Sequence, residues 1–249
     1  EKRYMPESGP AGTYPVSRFG DIDALHCDVD DETIIADFRQ RLVYNYEQRL
    51  SAYGTGSMSQ KTGSDEMIFC PWGAVPKQME FPLIRTGLNP EPGDSLDAAL
   101  HKLIYRHTHQ NTCMVTVSPA AVAEGTAVLA QRYGNEALYE KSPSIPYTDN
   151  NHPVIKPIDA EAIYLNPRVG LVDRTKLINK SGDNPILDML RRYKGCCIAA
   201  AYGVISTGDT TLEQAAHNAA SAERIARFRL EVDCNHRMLN GPPVSGLEP

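Results

Sequence analysis

Several things are scarce in this chain of 249 residues, and each scarcity excludes something. No apolar run reaches the roughly 18 residues that a membrane-spanning helix needs, and the start carries no basic–apolar–small pattern of the kind that directs secretion. Positive charge is in deficit, with 25 Lys and Arg against 31 Asp and Glu. The net charge of −6 gives no electrostatic footprint for nucleic acid or an anionic membrane, so neither is expected as a partner. The six cysteines, Cys27, Cys70, Cys113, Cys196, Cys197 and Cys234, form no CxxC pair. In a chain of this length they read as reduced thiols in a cytoplasmic protein, and none stands out as a nucleophile. There is no internal repeat and no low-complexity tract. The first residue is Glu1, not Met, so the natural start is expected upstream.

What is present suffices for a real core. Hydrophobic residues make up 41% of the chain, enough for a single large α/β domain. Residues 1–32 read as an N-terminal arm, 33–234 as the domain and 235–249 as a loose tail. A helix is expected from Asp30 or Asp31 as cap, with Ile34, Phe38, Leu42, Tyr46 and Leu50 on one stripe. GTGSMSQKTGSDE (54–66) reads as a polar turn region, followed by a short strand at Met67–Cys70 and a break at Pro71-Trp72-Gly73. LNPEPGD (88–94) reads as a loop, and Asp94 as the cap of a helix that buries Leu96, Leu100, Leu103 and Ile104. A strand over Thr112–Val117 leads to Ser118-Pro119, an N-cap and first-turn pair for a helix to Tyr133. Residues 142–182 read as irregular, Pro185–Tyr193 as a short helix and Cys197–Ser206 as one apolar strand. Thr210-Thr-Leu-Glu213 is a capping box for a last helix to about Val232. Helices alternating with strands describe a layered α/β domain.

Three segments, in order, carry a resemblance. GTGSMSQKTGSDEMIFCPWG is similar to a Gly-Asn-x-Ser turn followed by a strand ending in Thr-Pro-Ser-Gly. DSLDAALHKLIYRHTHQNTCMVTVSPAAVA is similar to a Ser-Ser-Glu-x-x-x-His-x-x-Ile-Tyr helix and a His-x-His-Pro strand end. IAAAYGVISTGDTTLEQAAHNAASAERIA is similar to a His-Gly-x-x-x-x-Gly-x-(Thr/Ser)-x-x-Glu-Ala segment. Together they resemble the class II aldolase/adducin family over roughly residues 33–232. The resemblance implies one three-layer α/β/α domain with a central mixed β-sheet, a small-molecule substrate, and cyclic tetramers with sites between subunits.

The departures from the family pattern matter most. The family's catalytic glutamate falls on Asp97, four before His101. Its two strand histidines fall on Thr116 and Ser118, counted from Tyr105, and its third falls on Tyr202 before Gly203. All three metal-binding imidazoles are replaced by hydroxyl side chains, which are poor ligands for zinc and its neighbours at neutral pH. No metal and no cofactor is therefore expected. His107-Thr-His109 has the His-x-His spelling but sits too early, in the loop before the strand, where i and i+2 need not share a face.

The family's phosphate-binding positions are altered as well. They resemble Gly56-Ser57, Pro71-Trp72-Gly73 and Ser95-Leu96 here, so Ser57, Ser59, Lys61, Trp72, Gly73, Ser95, His101 and Thr116 are candidate substrate-binding residues. Trp72 favours a flat or hydrophobic substrate over a sugar phosphate, unless it is simply a core residue. The candidate catalytic residues are Asp97 as general base, with Tyr202 and Ser118 as hydrogen-bond donors to a developing oxyanion. Their structural alternatives are a first-turn helix residue, a core tyrosine and an N-cap. Three functions compete: a metal-independent lyase or proton-transfer enzyme on a small carbonyl or aromatic metabolite in a biosynthetic pathway; a non-catalytic ligand-binding or scaffolding protein; and a non-haem iron oxygenase of the same fold, against which the missing ligands count.

Overall fold

Ser57–Lys61 is the first strand, β1, and it hairpins onto β2 (Glu66–Cys70), with Met58 facing Cys70 and Lys61 facing Met67. These elements belong to a computed structural model that describes residues 29, 31–52, 54–134, 152–177, 184–193 and 195–240. Most of the expected N-terminal arm, and the tail from 241 onward, lie outside the described residues. β3 (Ile84–Gly87) pairs with β2, β4 (Thr112–Thr116) with β1, and β8 (Gly203–Gly208) with β4. β7 (Cys196–Ala199), β6 (Val169–Val172) and β5 (Val154–Ile155) complete an eight-stranded sheet in the order β3-β2-β1-β4-β8-β7-β6-β5. Among the described residues only the β6–β7 pairing is parallel, so the sheet is mixed.

Helices cover both faces, as the three-layer expectation requires. On one face lie α2 (Leu96–His107) and α5 (Pro185–Arg192), whose Leu100, Ile104, Ile186 and Leu190 pack with Phe69, Val115, Cys197 and Ile205. On the other lie α1 (Glu32–Glu47), α3 (Pro119–Tyr133), α4 (Ala160–Leu165) and α6 (Leu212–Asn240). They cover Met58, Ile68, Met114, Ile198 and Val204. Each fully buried aliphatic side chain contributes about 1.5–3 kcal/mol, so this two-sided burial is what holds the sheet. Among the described residues no helix is long and apolar enough to cross a membrane. The five described cysteines are free thiols.

The sequence expectations hold for α1 with its Asp31 cap, α3, α5 and the loop at 88–94, and need correction elsewhere. Within the 54–66 segment, residues 54–56 and 62–65 are turns as expected, but Ser57–Lys61 between them is a strand whose first three residues are buried, Ser57 and Ser59 by hydrogen bonding. Tyr46 is exposed. Within 142–182, β5, α4 and β6 are regular, and β6 is wholly buried. The apolar run at 197–206 is two strands, β7 and β8, joined by a tight turn in which Ala201 takes φ +55. That turn has no glycine at its left-handed position, which is why the run reads as continuous.

The caps also differ. Ser95, not Asp94, caps α2, accepting from the Ala98 N–H at 3.1 Å. Ser118 has N-cap geometry but makes no side-chain cap bond. The first turn of α3 is capped instead by the Glu223 carboxylate of α6, which accepts from the N–H groups of Ala120 and Ala121 at 3.3 and 2.8 Å. Thr211, not Thr210, accepts from Gln214 at the start of α6, which then runs on to Asn240.

Asp94 has another use. Its carboxylate accepts from Lys102 Nζ at 2.6 Å and from the Glu91 N–H at 2.7 Å, with Lys102 fully buried. The pair ties the 91–95 loop to α2 and so fixes the turn that carries Asp97. Removing one partner strands a buried charge. Lys102→Ala is expected to cost about 3–5 kcal/mol in urea unfolding; a loss under about 1 kcal/mol would mean that the pair behaves like a surface bridge.

Candidate active site

Two periodicities meet where α2 crosses β1. On a helix, residues four apart lie on one face about 6 Å apart. On a strand, residues two apart share a face about 6.6 Å apart. Asp97, His101 and Tyr105 are spaced by four on α2, and Ser57 and Ser59 by two on β1, so the two rows interleave. Ser57 Oγ lies 3.1 Å from His101 Nε2, and Ser59 Oγ 2.6 Å from His101 Nδ1. Ser59 Oγ is also 2.7 Å from the Tyr105 hydroxyl, which donates to the Ser59 carbonyl at 2.9 Å. At the other end the Tyr202 hydroxyl donates to Asp97 Oδ1, one helical turn before His101. The result is a hydrogen-bonded row, Ser57, His101, Ser59 and Tyr105, with the Tyr202–Asp97 pair next to its Ser57 end.

One close backbone approach and one turn hydrogen bond set this geometry. Gly56, at φ +80, passes so near β4 that a Cβ there would stand 2.2 Å from the Val115 carbonyl oxygen, and it delivers Ser57 into the row. Tyr202 comes from the β7–β8 turn, held by the Ala201 N–H donating to Thr126 Oγ1 at 3.0 Å.

Burial sets the electrostatics. The Asp97 carboxyl is raised above the ordinary carboxylate range by burial, against the lowering pull of the nearby Ser57 and Tyr202 hydroxyls. Burial alone lowers His101 to about 3, so its imidazole is neutral at ordinary pH, with the Phe69 ring set edge-on at 5.4 Å. The Tyr202 phenol is pushed well up by burial and by the neighbouring Asp97 charge. Burial, together with the same charge, also pushes up the Cys113 thiol of β4. Asp97 and Tyr202 are each partly exposed, so the row opens to solvent at that end.

The other sequence candidates lie elsewhere. Thr116 and Ser118 are fully buried and bonded to each other at 2.8 Å. Ser118 donates to the Leu50 carbonyl at 3.1 Å, which leaves Thr116 as the donor between them and both protons committed. No hydrogen bond joins either to the Asp97–Tyr202 pair. Lys61 sits at the far end of β1, about 13 Å along the strand from Ser57. Trp72 is 8% exposed and packs in the core of the opposite sheet face with Phe38 and Ile68. Gly73 is a close-packing position whose N–H donates to the Thr55 carbonyl at 3.1 Å. Ser95 is the α2 cap. Tyr105 joins the row, and the Cys113 thiol lies close enough to feel the Asp97 charge, although neither stands out in the sequence as a site residue; the spacing of four from Asp97 through His101 was the signal for Tyr105. His107 is the last residue of α2, and His109 follows in the loop before β4.

These elements place the chain among known proteins. The profile of the Class II Aldolase and Adducin N-terminal domain matches residues 44–230. The chain belongs to that family. No curated protein matches it. Among solved structures it is similar to the L-fuculose-1-phosphate aldolase of Thermus thermophilus, with a TM-score of 0.61 at 19% identity, covering 84% of this chain and 98% of the other. It is also similar to an aldolase II superfamily protein from Pseudomonas syringae (TM-score 0.52, 13% identity, 87% and 83% covered). A sugar-phosphate aldolase from Thermotoga maritima gives a TM-score of 0.52 at 12% identity, with 85% and 97% covered. At these identities the likeness is one of fold. Thr116, Ser118 and Tyr202, the positions that the family resemblance assigns to metal ligands, do not fit a zinc-like ion: they offer only hydroxyls, two of them tied to each other. Among the described residues no three His, Cys, Asp or Glu side chains are grouped to hold one.

The shifts have opposite signs in stability. The raised Asp97 value means that its contribution is full below the ordinary carboxylate range and is lost as pH rises through the folded value. Asp97→Asn should therefore raise Tm at neutral pH by about 2–4 °C, for a gain of about 1 kcal/mol. The lowered His101 value works the other way: stability is present above about 6.5 and is lost as pH falls toward about 3. His101→Gln should flatten that acid limb in a Tm-against-pH series, and an unchanged limb would contradict the neutral, buried imidazole.

Proposed function

We propose that this chain is a metal-independent enzyme on the class II aldolase scaffold, a lyase or proton-transfer catalyst acting on a small carbonyl or aromatic metabolite. The observation that carries the reading is the Tyr202 hydroxyl donating to a raised, partly exposed Asp97 carboxylate. A raised carboxylate is a stronger base than a solvated one, and a phenol with its proton held is a good donor to a nascent oxyanion. Asp97 takes the proton from the carbon beside the substrate carbonyl. The C–H electron pair moves to the carbonyl oxygen as the enolate forms, and Tyr202, released from the now-neutral carboxyl, donates to that oxygen. In a lyase Asp97 would take the proton of the hydroxyl on the β-carbon; that oxygen becomes the carbonyl of the departing aldehyde as the C–C pair moves into the enolate, and Asp97 then returns the proton to the enolate carbon.

Ser118 and Thr116, their protons committed, hold the end of β4 in this reading and do not touch substrate. The family resemblance supports a homotetramer with the open end of the row near a subunit boundary, and no resident cofactor.

The test needs no known substrate. Chelator-treated protein is incubated in deuterium oxide with small hydroxyketones and aryl ketones, and loss of the proton beside the carbonyl is followed by NMR. Exchange should persist without metal and fall about 10²–10⁴-fold in Asp97→Asn. It should fall about 10²–10³-fold in Tyr202→Phe. Exchange that chelation abolishes and zinc restores would overturn the metal-free reading. No exchange on any probe would favour the alternative, a non-catalytic ligand-binding protein on the same scaffold.

A further inference from the structure

On the face of the sheet away from the row, α1 runs beside α6, with Arg41 paired to Glu213 at 3.6 Å. α1 stops at Glu47 while α6 continues to Asn240, so the second half of α6 loses that neighbour. Arg49, at φ +57, turns the chain back, and the Leu50 N–H donates to the Asn45 carbonyl at 2.9 Å. Leu50 is thereby buried. The step between the end of α1 and the body of α6 is a cleft of about 340 Å³, in the lower part of the range of small-molecule sites. The rings of Tyr44 and Phe228 line it together with Leu50, and Ala220, with only a methyl group, leaves the space open. Phe228 is 43% exposed, so its ring is free for a ligand to cover.

The charged lining carries both signs: Glu223 and Glu231 against Arg224 and Arg227. Glu223 is buried, and its carboxylate is spent on the Ala120 and Ala121 N–H groups and on Arg227 Nη2 at 3.0 Å. Arg227 stands four residues after one glutamate and four before the other. Helical side chains lean toward the N-terminus, and glutamate preceding the cation is the favourable order, so Arg227 turns back to Glu223. Glu231 is left exposed, with no ion pair among the described residues. The Arg227 side chain, held at one nitrogen by Glu223, stays 53% exposed. One turn of helix thus presents an oriented cation and an unpaired anion beside two aromatic rings.

We propose that this cleft binds a small zwitterion bearing a flat apolar group, the chemistry of an aromatic α-amino acid. The ligand carboxylate pairs with Arg227, its ammonium with Glu231, and its ring lies against Tyr44 and Phe228. A purely apolar ligand would cover both charges without pairing either, which is unfavourable. A lone anion would be opposed by Glu231, and a lone cation by Arg227. An α-amino acid carries its two charges on one carbon, which suits side chains one helical turn apart. Arg224, shared with Asp159 at 3.4 Å, adds positive potential on the carboxylate side. The cleft shares no residue with the Asp97–Tyr202 pair and lies across the sheet from it, so it stands whether or not the catalytic reading does.

The test is calorimetric titration of the full chain with phenylalanine, hydrocinnamate and phenethylamine. Phenylalanine should bind at a single site per chain, about tenfold more tightly than either probe of single charge. Glu231→Gln should abolish its advantage over hydrocinnamate, and Arg227→Gln its advantage over phenethylamine. Phe228→Ala should weaken all three, with circular dichroism showing that the helix is retained. Asp97→Asn should bind phenylalanine as the wild type does; a loss there would move the ligand to the Asp97 site and overturn the assignment. Absence of saturable binding, or equal affinity for the three probes, would overturn it too. Sedimentation of the wild type and Phe228→Ala covers the other occupant. If the variant dissociates into smaller species and the wild type takes up no phenylalanine, a second copy of this chain fills the cleft and the proposal fails.

Discussion

His101 enters the interior without a charge, clamped between two serines of a single strand, and the rest of the site is arranged around that clamp. It sets the register of α2 on β1, because only one placement interleaves a row spaced by four on a helix with a row spaced by two on a strand. That placement puts Asp97 at the open end of the row and Tyr105 at the closed end. The Lys102–Asp94 pair and the Ser95 cap then fix the start of α2, and the Gly56 approach to β4 fixes the start of β1. A neutral imidazole is the group suited to the middle position, since it donates on one side and accepts on the other.

The cost of this arrangement falls on Asp97. A carboxyl raised by burial opposes the stability of the fold at neutral pH, and nothing in the packing of α2 requires an acid there: Leu100, Leu103 and Ile104 already anchor the helix. Polar groups kept at a cost in stability are characteristic of functional sites. Tyr202 points the same way. It is delivered by a turn that holds Ala201 in the left-handed region, and its hydroxyl is spent on Asp97 instead of a nearby backbone carbonyl.

Much of this was legible in the sequence where hydrophobic period or motif order carried it. α1, α3 and α5 follow from spacing and caps, and the three ordered motifs led to the fold and to Asp97 and Tyr202. What was hidden was hidden by hydrogen bonding. β1 looks like a polar turn because Ser57 and Ser59 are buried by an imidazole, not by apolar neighbours. β6 lies in a proline-rich stretch, and its burial depends on a parallel partner far along the chain. The β7–β8 turn lacks the glycine that marks such turns. Ser118 looks like a cap, but the capping carboxylate comes from Glu223, over a hundred positions away. Counting positions from Tyr105 identifies Thr116 and Ser118 as replaced ligands; it does not reveal that their protons are already committed to each other and to Leu50.

A carboxylate and a phenol stand where the family resemblance places metal chemistry, and in the proposed reading they act without the metal. Calorimetric titration of zinc into the purified, chelator-treated chain tests it most directly, with Tyr202→Phe in parallel. No stoichiometric uptake is expected, with the same weak background in both proteins. Tight binding of one zinc ion per chain that Tyr202→Phe abolishes would contradict it.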